Sequence, residues 1–246
     1  IRRSQVRILP GAHSATLELI ADPRYIRDDF TQPSTPLNLP ANHPGLLIVL
    51  EGIDGTGKST QTRLLAEALR EQGFNVTQSR EPTDGTYGRK LRESATVGRL
   101  SAEEELDLFH KDRREHVERL ISPALKAGDI VVLDRYYFST MAYQGIRGFN
   151  PQEIRRTNEE FAPRPDLLLL LELSLDTAMA RIGGRDGQGN QFERRESLQL
   201  CREIFHSVKD DFVHIIDAEQ PVEQAQKAIM STVNPALASL RARRAQ

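Results

Sequence analysis

The stretch Gly52-Ile53-Asp54-Gly55-Thr56-Gly57-Lys58-Ser59 fits the pattern G-x-x-x-x-G-K-[ST], and its flanks supply the context that the pattern needs. Upstream, Leu46-Leu47-Ile48-Val49-Leu50 is an apolar, partly β-branched run, as in a parallel strand covered on both faces. Downstream, Leu64, Leu65, Ala68 and Leu69 recur at helical spacing, so a helix opens where the loop ends. Strand, glycine-rich loop and helix together make a phosphate cradle. The glycines let backbone N–H groups close around phosphate oxygens, and the helix N-terminus adds the positive end of a dipole. The expected nucleotide contacts are Gly52, Asp54, Gly55, Thr56, Gly57, Lys58, Ser59 and Thr60. Among them Lys58 reaches the β- and γ-phosphates and the Ser59 hydroxyl ligates Mg²⁺. A nucleoside triphosphate with Mg²⁺ is therefore the expected ligand.

Composition narrows the class. A chain of 246 residues, 38% hydrophobic and 28% charged, suits one soluble globular domain with a sizeable core. A net charge of −2 supplies no global basic field, so neither nucleic acid nor an anionic membrane is an expected partner. The basic tail Arg241, Arg243 and Arg244 reads as a solvated helix end. A single cysteine, Cys201, excludes an internal disulfide and fits a reducing, cytoplasmic setting. It lies in the helical apolar pattern of Leu198-Gln199-Leu200-Cys201 and reads as packing rather than as a nucleophile. The longest apolar run, Leu167 to Leu171, is too short to span a bilayer.

Residues 1–44 stand apart. They contain Pro10, Pro23, Pro33, Pro36, Pro40 and Pro44 and show no sustained apolar period, so an N-terminal extension, disordered or non-native, is expected there. From residue 45 to 246 strands and helices alternate, which predicts an α/β domain with a mainly parallel sheet. The expected strands after the first are Asn75–Ser79, Asp129–Leu133, Leu167–Leu171 and Val213–Ile216. Ser101-Ala102-Glu103-Glu104 is a capping box opening a long helix. Asn150 and Ser174 start further helices, the second running to about Ile182. Gly183 to Asn190 reads as a polar loop, followed by a helix around Glu196 to Val208 and a closing helix from about Pro221.

Three groups of residues carry chemistry. Asp134 and Arg135 follow an apolar strand, where open parallel sheets bind ligands. The carboxylate suits Mg²⁺, directly or through water, and the guanidinium suits phosphoryl oxygens, a structural ion pair being the bland alternative. Arg185, with Arg181 before it, lies in or beside a glycine-rich segment that can close over a nucleotide, or else simply be solvated. Phe109 and Arg113 share one helical face, an aromatic plate and a donor suited to a base, against core packing for Phe109 alone. His43, His110, His116 and His206 show no metal-ligand spacing.

Taken in order, these motifs resemble the thymidylate kinase family. The resemblance runs from about Leu46 to about Ser231. It is carried by the P-loop, Arg80-Glu81-Pro82, Phe109 with Asp112-Arg113, Asp134-Arg135-Tyr136, Ala142-Tyr143-Gln144-Gly145 and Arg164-Pro165-Asp166. It implies a three-layer α/β/α P-loop kinase domain over 45–246 with a five-stranded parallel sheet, a lid near 183–193, and a homodimer. It also implies phosphoryl transfer from ATP to dTMP, giving dTDP and ADP. By resemblance, Asp54 sets the acceptor sugar through its 3′-hydroxyl, Phe109 stacks on thymine, and Arg113 contacts the base edge. Tyr143, with Gln144 beside it, lines the sugar; Arg135 and Arg92 hold the acceptor phosphate; Asp134 serves the Mg²⁺ site with Ser59. Where one branch of the family carries an arginine after the P-loop carboxylate, this chain has Gly55, which transfers that role to the lid and Arg185. One departure stands out: many relatives have Gly-Gly-Thr after Arg80-Glu81-Pro82, whereas this chain has Thr83-Asp84-Gly85-Thr86. Asp84 adds negative charge near the expected acceptor phosphate unless an arginine such as Arg89 pairs with it.

The expected catalytic set is Lys58, Arg135, Arg185 and Asp54. A monophosphate is already largely ionised at neutral pH, with a second pKa of about 6, so positioning and charge neutralisation suffice without a general base. Two alternatives remain from the sequence. A deoxyribonucleoside kinase would need a base for a 5′-hydroxyl, and Glu81 is suitably placed; a catalytically silent nucleotide-binding protein would bind ATP without turnover.

Overall fold

The structure is a computed structural model that describes residues 43–98, 100–186 and 191–244; at 96, 184–186 and 191–192 it describes the backbone alone. The strands are β1 (Leu46–Glu51), β2 (Val76–Arg80), β3 (Ile130–Asp134), β4 (Leu167–Glu172) and β5 (Val213–Asp217). They form one sheet in the order β2-β3-β1-β4-β5, and every pairing is parallel. This is the expected five-stranded P-loop sheet. β1 and β3 are buried along their whole length, which is why their sequences are continuous apolar runs. The edge strand β2 instead exposes Gln78 and Arg80.

Register decides where the site lies. Leu50 pairs with Asp134 across β1 and β3, Arg80 pairs with Asp134 across β2 and β3, and Glu51 pairs with Leu170 across β1 and β4. Three strands therefore end side by side, and the loops that leave them share one rim of the sheet. Every residue expected to carry chemistry at a strand end issues from that rim.

The helices are α1 (Lys58–Glu71), α2 (Thr86–Val97), α3 (Ala102–His116), α4 (Ser122–Lys126), α5 (Tyr137–Gly145), α6 (Pro151–Glu159), α7 (Leu175–Asp186), α8 (Gln191–Ser207) and α9 (Val222–Arg244). α1 buries Leu65, Ala66 and Leu69 on the sheet. The capping box at Ser101 is formed in both directions, Ser101 accepting from Glu104 N–H while Glu104 accepts from Ser101 N–H. Asn150 and Ser174 cap α6 and α7 as expected. A π-helical turn over Val117–Ile121 joins α3 to α4, directly before Pro123, whose ring would clash with the carbonyl four residues back in a regular helix.

Several sequence-based boundaries shift. α7 continues past Ile182 through Gly183 and Gly184 to Asp186, since a glycine weakens a helix by only about 1 kcal/mol and does not by itself end it. The expected lid at 183–193 thus divides: 183–186 complete α7, 187–190 lie outside the described residues, and 191–193 open α8. Residues 1–42 of the expected extension also lie outside them. The basic tail is not wholly solvated. Arg241 and Arg244 stand over the Phe74 ring at 4.8 and 5.7 Å, and Arg244 donates to the Gly128 carbonyl. Cys201 is 1% exposed and belongs to the core, as its pattern predicted. Among the described residues no helix is long and apolar enough to cross a membrane.

Candidate active site

The loop between β1 and α1 holds its shape through backbone geometry that only glycine adopts freely. Gly52 has φ 140° and Gly55 φ 87°. A Cβ at Gly52 would run into the Leu171 carbonyl, and one at Gly55 would lie 2.9 Å from the Ala178 carbonyl oxygen. The loop is thus wedged against β4 and α7. Inside it, the Thr56 hydroxyl donates to the Ile53 carbonyl at 3.0 Å. Lys58 folds back to donate to the same carbonyl at 2.8 Å and to Thr56 Oγ1 at 3.3 Å. Lys58 is 5% exposed. Burial, with the Arg135 guanidinium nearby, pushes it down to about 7, a value that a bound phosphate's charge would raise. Ser59 and Thr60 stand exposed at the mouth of the loop.

The Ser59 hydroxyl donates to Oδ2 of Asp134. The other carboxylate oxygen, Oδ1, is buried and has no hydrogen-bond partner. An orphaned anionic oxygen beside a hydroxyl at a P-loop mouth is a fitting donor set for a hard divalent cation. Among the described residues no cluster of three or more His, Cys, Asp or Glu side chains forms a separate metal site.

Arg135 has φ 71°, the left-handed region that non-glycine residues rarely occupy. Its N–H donates to the Leu50 carbonyl at 3.0 Å, which turns the chain back over β1. Its guanidinium then reaches three groups. Nη2 donates to Asp54 Oδ1, Nη1 donates to Ser139 Oγ at 3.1 Å, and the Tyr143 ring centroid lies 5.4 Å away. Burial raises the Asp54 carboxyl, but the Arg135 and Lys58 charges outweigh it and hold the group below the usual carboxylate range. Lys58, Asp54, Arg135, Asp134, Ser59 and Tyr143 are thus brought to one rim.

Glu51 ends β1 and was not singled out from the sequence. It is 0% exposed. Its Oε1 accepts from the backbone N–H groups of Tyr136 at 2.8 Å and Ser139 at 3.0 Å, and its Oε2 accepts the Ser139 hydroxyl at 2.6 Å. Burial pushes its carboxyl up to about 7 against the opposing pull of Arg135, the Ser139 hydroxyl and Lys58. The only sequence signal was a charged residue closing an otherwise unbroken apolar strand.

The second wall is built by α3. Arg113 is 1% exposed; its Nε and Nη2 donate to Oε2 of Glu81 at 2.8 and 2.6 Å. Nη2 also reaches Thr140 at 2.9 Å, and Nη1 reaches Asn158 at 2.6 Å. The other oxygen of Glu81 pairs with Nδ1 of His116 at 3.0 Å. Burial works against the Glu81 charge, yet Arg113 and His116 hold its carboxyl below the ordinary range. Both oxygens are thus engaged and proton affinity is lowered, the reverse of what the alternative with Glu81 as general base requires. Phe109 is half-buried on the face of α3 that also carries Arg113. Gln144 is fully buried and donates to Glu105 at 2.9 Å, bracing α5 against α3 rather than joining the Asp54–Arg135 cluster.

At Thr83-Asp84 the carboxylate is paired with arginines, as the sequence reading allowed, but they are Arg80 and Arg92 and not the Arg89 given as the example. Asp84 Oδ1 accepts from Arg80 at 2.9 Å and from Arg92 at 2.8 Å, while Arg89 reaches only the Asp84 backbone carbonyl, at 3.1 Å. Arg92 also donates to the Pro82 and Thr83 carbonyls at 2.8 and 2.7 Å, so it clamps the whole turn. Asp112, quoted from the sequence only as part of the Asp112-Arg113 motif and given no role there, holds the turn from the other side through the Thr83 N–H at 2.8 Å and its hydroxyl at 2.5 Å. On α7, Arg181 donates to the Gly55 carbonyl at 3.2 Å and to the Ala218 carbonyl at 3.3 Å. Arg185 stands one turn further along the same face; its side chain lies outside the described residues.

Comparison with known proteins agrees with this geometry. A family model described as thymidylate kinase matches residues 50–229. The chain is 50% identical over 190 residues to the thymidylate kinase of Akkermansia muciniphila, covering 77% of this chain and 92% of that protein. It is 49% identical over 194 residues to the thymidylate kinase of Xanthomonas campestris pv. campestris, covering 79% and 85%. Against that of Xanthomonas oryzae pv. oryzae it is 47% identical over 194 residues.

Proposed function

The chain belongs to the thymidylate kinase family, and from that membership we propose how its residues transfer the γ-phosphoryl group of ATP to dTMP, giving dTDP and ADP. The observation that carries the reading is the Asp54–Arg135 pair beside the Lys58-closed P-loop. A carboxylate and a guanidinium beside the loop that takes the triphosphate support a meeting point for donor and acceptor phosphates there.

In this reading the loop N–H groups and Lys58 take the triphosphate, and Lys58 exchanges its contacts with Ile53 and Thr56 for phosphate oxygens. Arg135 faces the acceptor phosphate, its reach fixed by Asp54 on one side and Ser139 on the other. Asp54 keeps its second oxygen for the sugar 3′-hydroxyl, and Tyr143 crowds the 2′ position. Burial pushes the Tyr143 hydroxyl far above its ordinary value, so it stays a neutral group beside these charges. Phe109 stacks on the base while the buried Arg113 meets its edge. Ser59 and Asp134 hold Mg²⁺, which neutralises charge on the triphosphate when bound. Arg181 ties α7 to the P-loop, and Arg185, one turn further along that helix, is the proposed lid arginine. The acceptor is an oxyanion already, so the positioned cations do the work of lowering the barrier. A homodimer and a cytoplasmic location complete the proposal; the family resemblance supports the first and the single cysteine the second.

Coupled release of ADP with ATP and Mg²⁺ tests the reading, with dTMP, dUMP, dCMP and thymidine offered as acceptors. Strong preference for dTMP is expected. Turnover of thymidine without dTMP would restore Glu81 as a base and overturn it.

A further inference from the structure

Glu51 is a buried carboxylate with no part in the mechanism above. Its Oε1 closes the first turn of α5, accepting the N–H of Tyr136 at the N-cap and sharing the Ser139 N–H with the Tyr136 carbonyl. A cap needs nothing more, and an amide oxygen would serve as well. The second oxygen is what distinguishes Glu51. Oε2 accepts the Ser139 hydroxyl at 2.6 Å, so that hydroxyl must donate downward into the sheet. Its lone pairs are then left facing the rim, where Arg135 Nη1 donates to Ser139 Oγ at 3.1 Å.

We propose that Glu51, acting through the Ser139 hydroxyl, is the positioning residue for the Arg135 guanidinium. The relay runs Arg135 N–H to Ser139 O–H to Glu51 carboxylate, and each link fixes the direction of the next. Asp54 holds Nη2 from the solvent side, and the Ser139 oxygen holds Nη1 from the core side. The guanidinium plane is thereby set before any ligand arrives. The same carboxylate also pins the residue after Arg135 through the Tyr136 N–H, which keeps the backbone of Arg135 in its left-handed conformation. Preorganised charge of this kind lowers a barrier because no reorganisation is needed as the reaction occurs.

A carboxylate is required by donor and acceptor parity. Glutamine at 51 has one acceptor oxygen; if it keeps the two backbone N–H groups, its amide N–H₂ must face the Ser139 oxygen. Ser139 then turns its own hydrogen towards Arg135, and two donors meet. Glu51→Gln therefore removes the anchor on Nη1 as surely as Ser139→Ala does.

The inference rests on the proposed phosphoryl transfer to dTMP, so the parent's turnover of dTMP is measured first; its absence would strike that reading and not this one. Glu51→Gln and Ser139→Ala are each expected to lower kcat by about tenfold or more, the scale of one hydrogen bond to a charged group. KM for ATP should stay within about twofold, because the P-loop is untouched. Both changes are then repeated on an Arg135→Ala background, where no further loss is expected. Ser139→Ala with the parent's kcat would overturn the proposal. So would a loss from Ser139→Ala, or from Glu51→Gln, that multiplies with Arg135→Ala, since a merely structural role would act whether or not the arginine is there. Should Glu51→Gln not fold, Ser139→Ala carries both arms alone.

Discussion

Removing the carboxylate of Glu81 should unfold the protein earlier without abolishing its chemistry. The Arg113 guanidinium is 1% exposed, and its charge is balanced by Oε2 of Glu81 through contacts of 2.8 and 2.6 Å. In Glu81→Ala that charge stays buried with only the neutral oxygens of Thr140 and Asn158. Breaking a buried pair by deleting one partner costs about 3–5 kcal/mol. In a domain of this size about 1 kcal/mol moves the melting temperature by about 2–4 °C, so a fall of roughly 6–20 °C is expected. Glu81→Gln should lie between parent and alanine variant, since the amide oxygen still accepts one N–H. The deficit also has a pH signature. Arg113 and His116 hold the Glu81 carboxyl below its ordinary value of 4.5, so its contribution is complete above that value and is lost as pH falls through the depressed one. Parent and glutamine variant should therefore converge in acid. Calorimetric melts across pH, with dTMP turnover measured well below the lower melting point, make the test. An unchanged melting temperature in Glu81→Ala would refute the structural role. A kcat loss of about 10²–10⁴ in a fully folded Glu81→Gln would mean that the residue is a base after all.

Other consequences follow from the same rim. With Lys58 pushed down to about 7 in the free protein, ATP binding should take up a proton above that pH; calorimetry in buffers of different ionisation enthalpy reads it, and buffer-independent heats would contradict it. Gly55→Arg should not restore turnover to Arg185→Ala, because φ 87° and the Ala178 carbonyl 2.9 Å from a Cβ both resist a side chain there. Recovery of kcat in the double variant would show that the loop yields more easily than its packing implies. Ser101→Ala should cost about 1 kcal/mol through loss of the capping box. The readout is a melting temperature lower by about 2–4 °C with unchanged kcat.

What the sequence disclosed, and what it hid, follows from the range of the forces involved. β1 and the loop after it were legible because a local pattern and a local geometry coincide there. The capping box at Ser101 was legible because its partners sit three residues apart. α5 was not: every one of its residues from Tyr137 to Gly145 except Tyr143 is buried, so it has no polar face and no period to read. The aromatic face of α3 was visible, but not that Arg113 would be enclosed by partners from β2's end, α5 and α6. Those contacts span 27 to 45 residues. Asp84 looked like a charge set against a phosphate site. Its guanidinium partners were identifiable as types, but local spacing could not choose Arg80 and Arg92 over Arg89. Ser139 carries no sequence signal at all, because only the fold brings its hydroxyl between Glu51 and Arg135.

The placement of Cys201 has a practical side. It is the chain's only cysteine, and it lies in α8 where that helix packs on α5, under the wall that carries Tyr143. At 1% exposure, with burial pushing its thiol up to about 12, it presents almost no thiolate to reagents in water. The folded protein should be silent towards a thiol-reactive dye, and the rate at which it ceases to be silent is a clock for α8 lifting from α5. For the same reason a cysteine introduced anywhere on the surface would take a label alone, with the native thiol left in place.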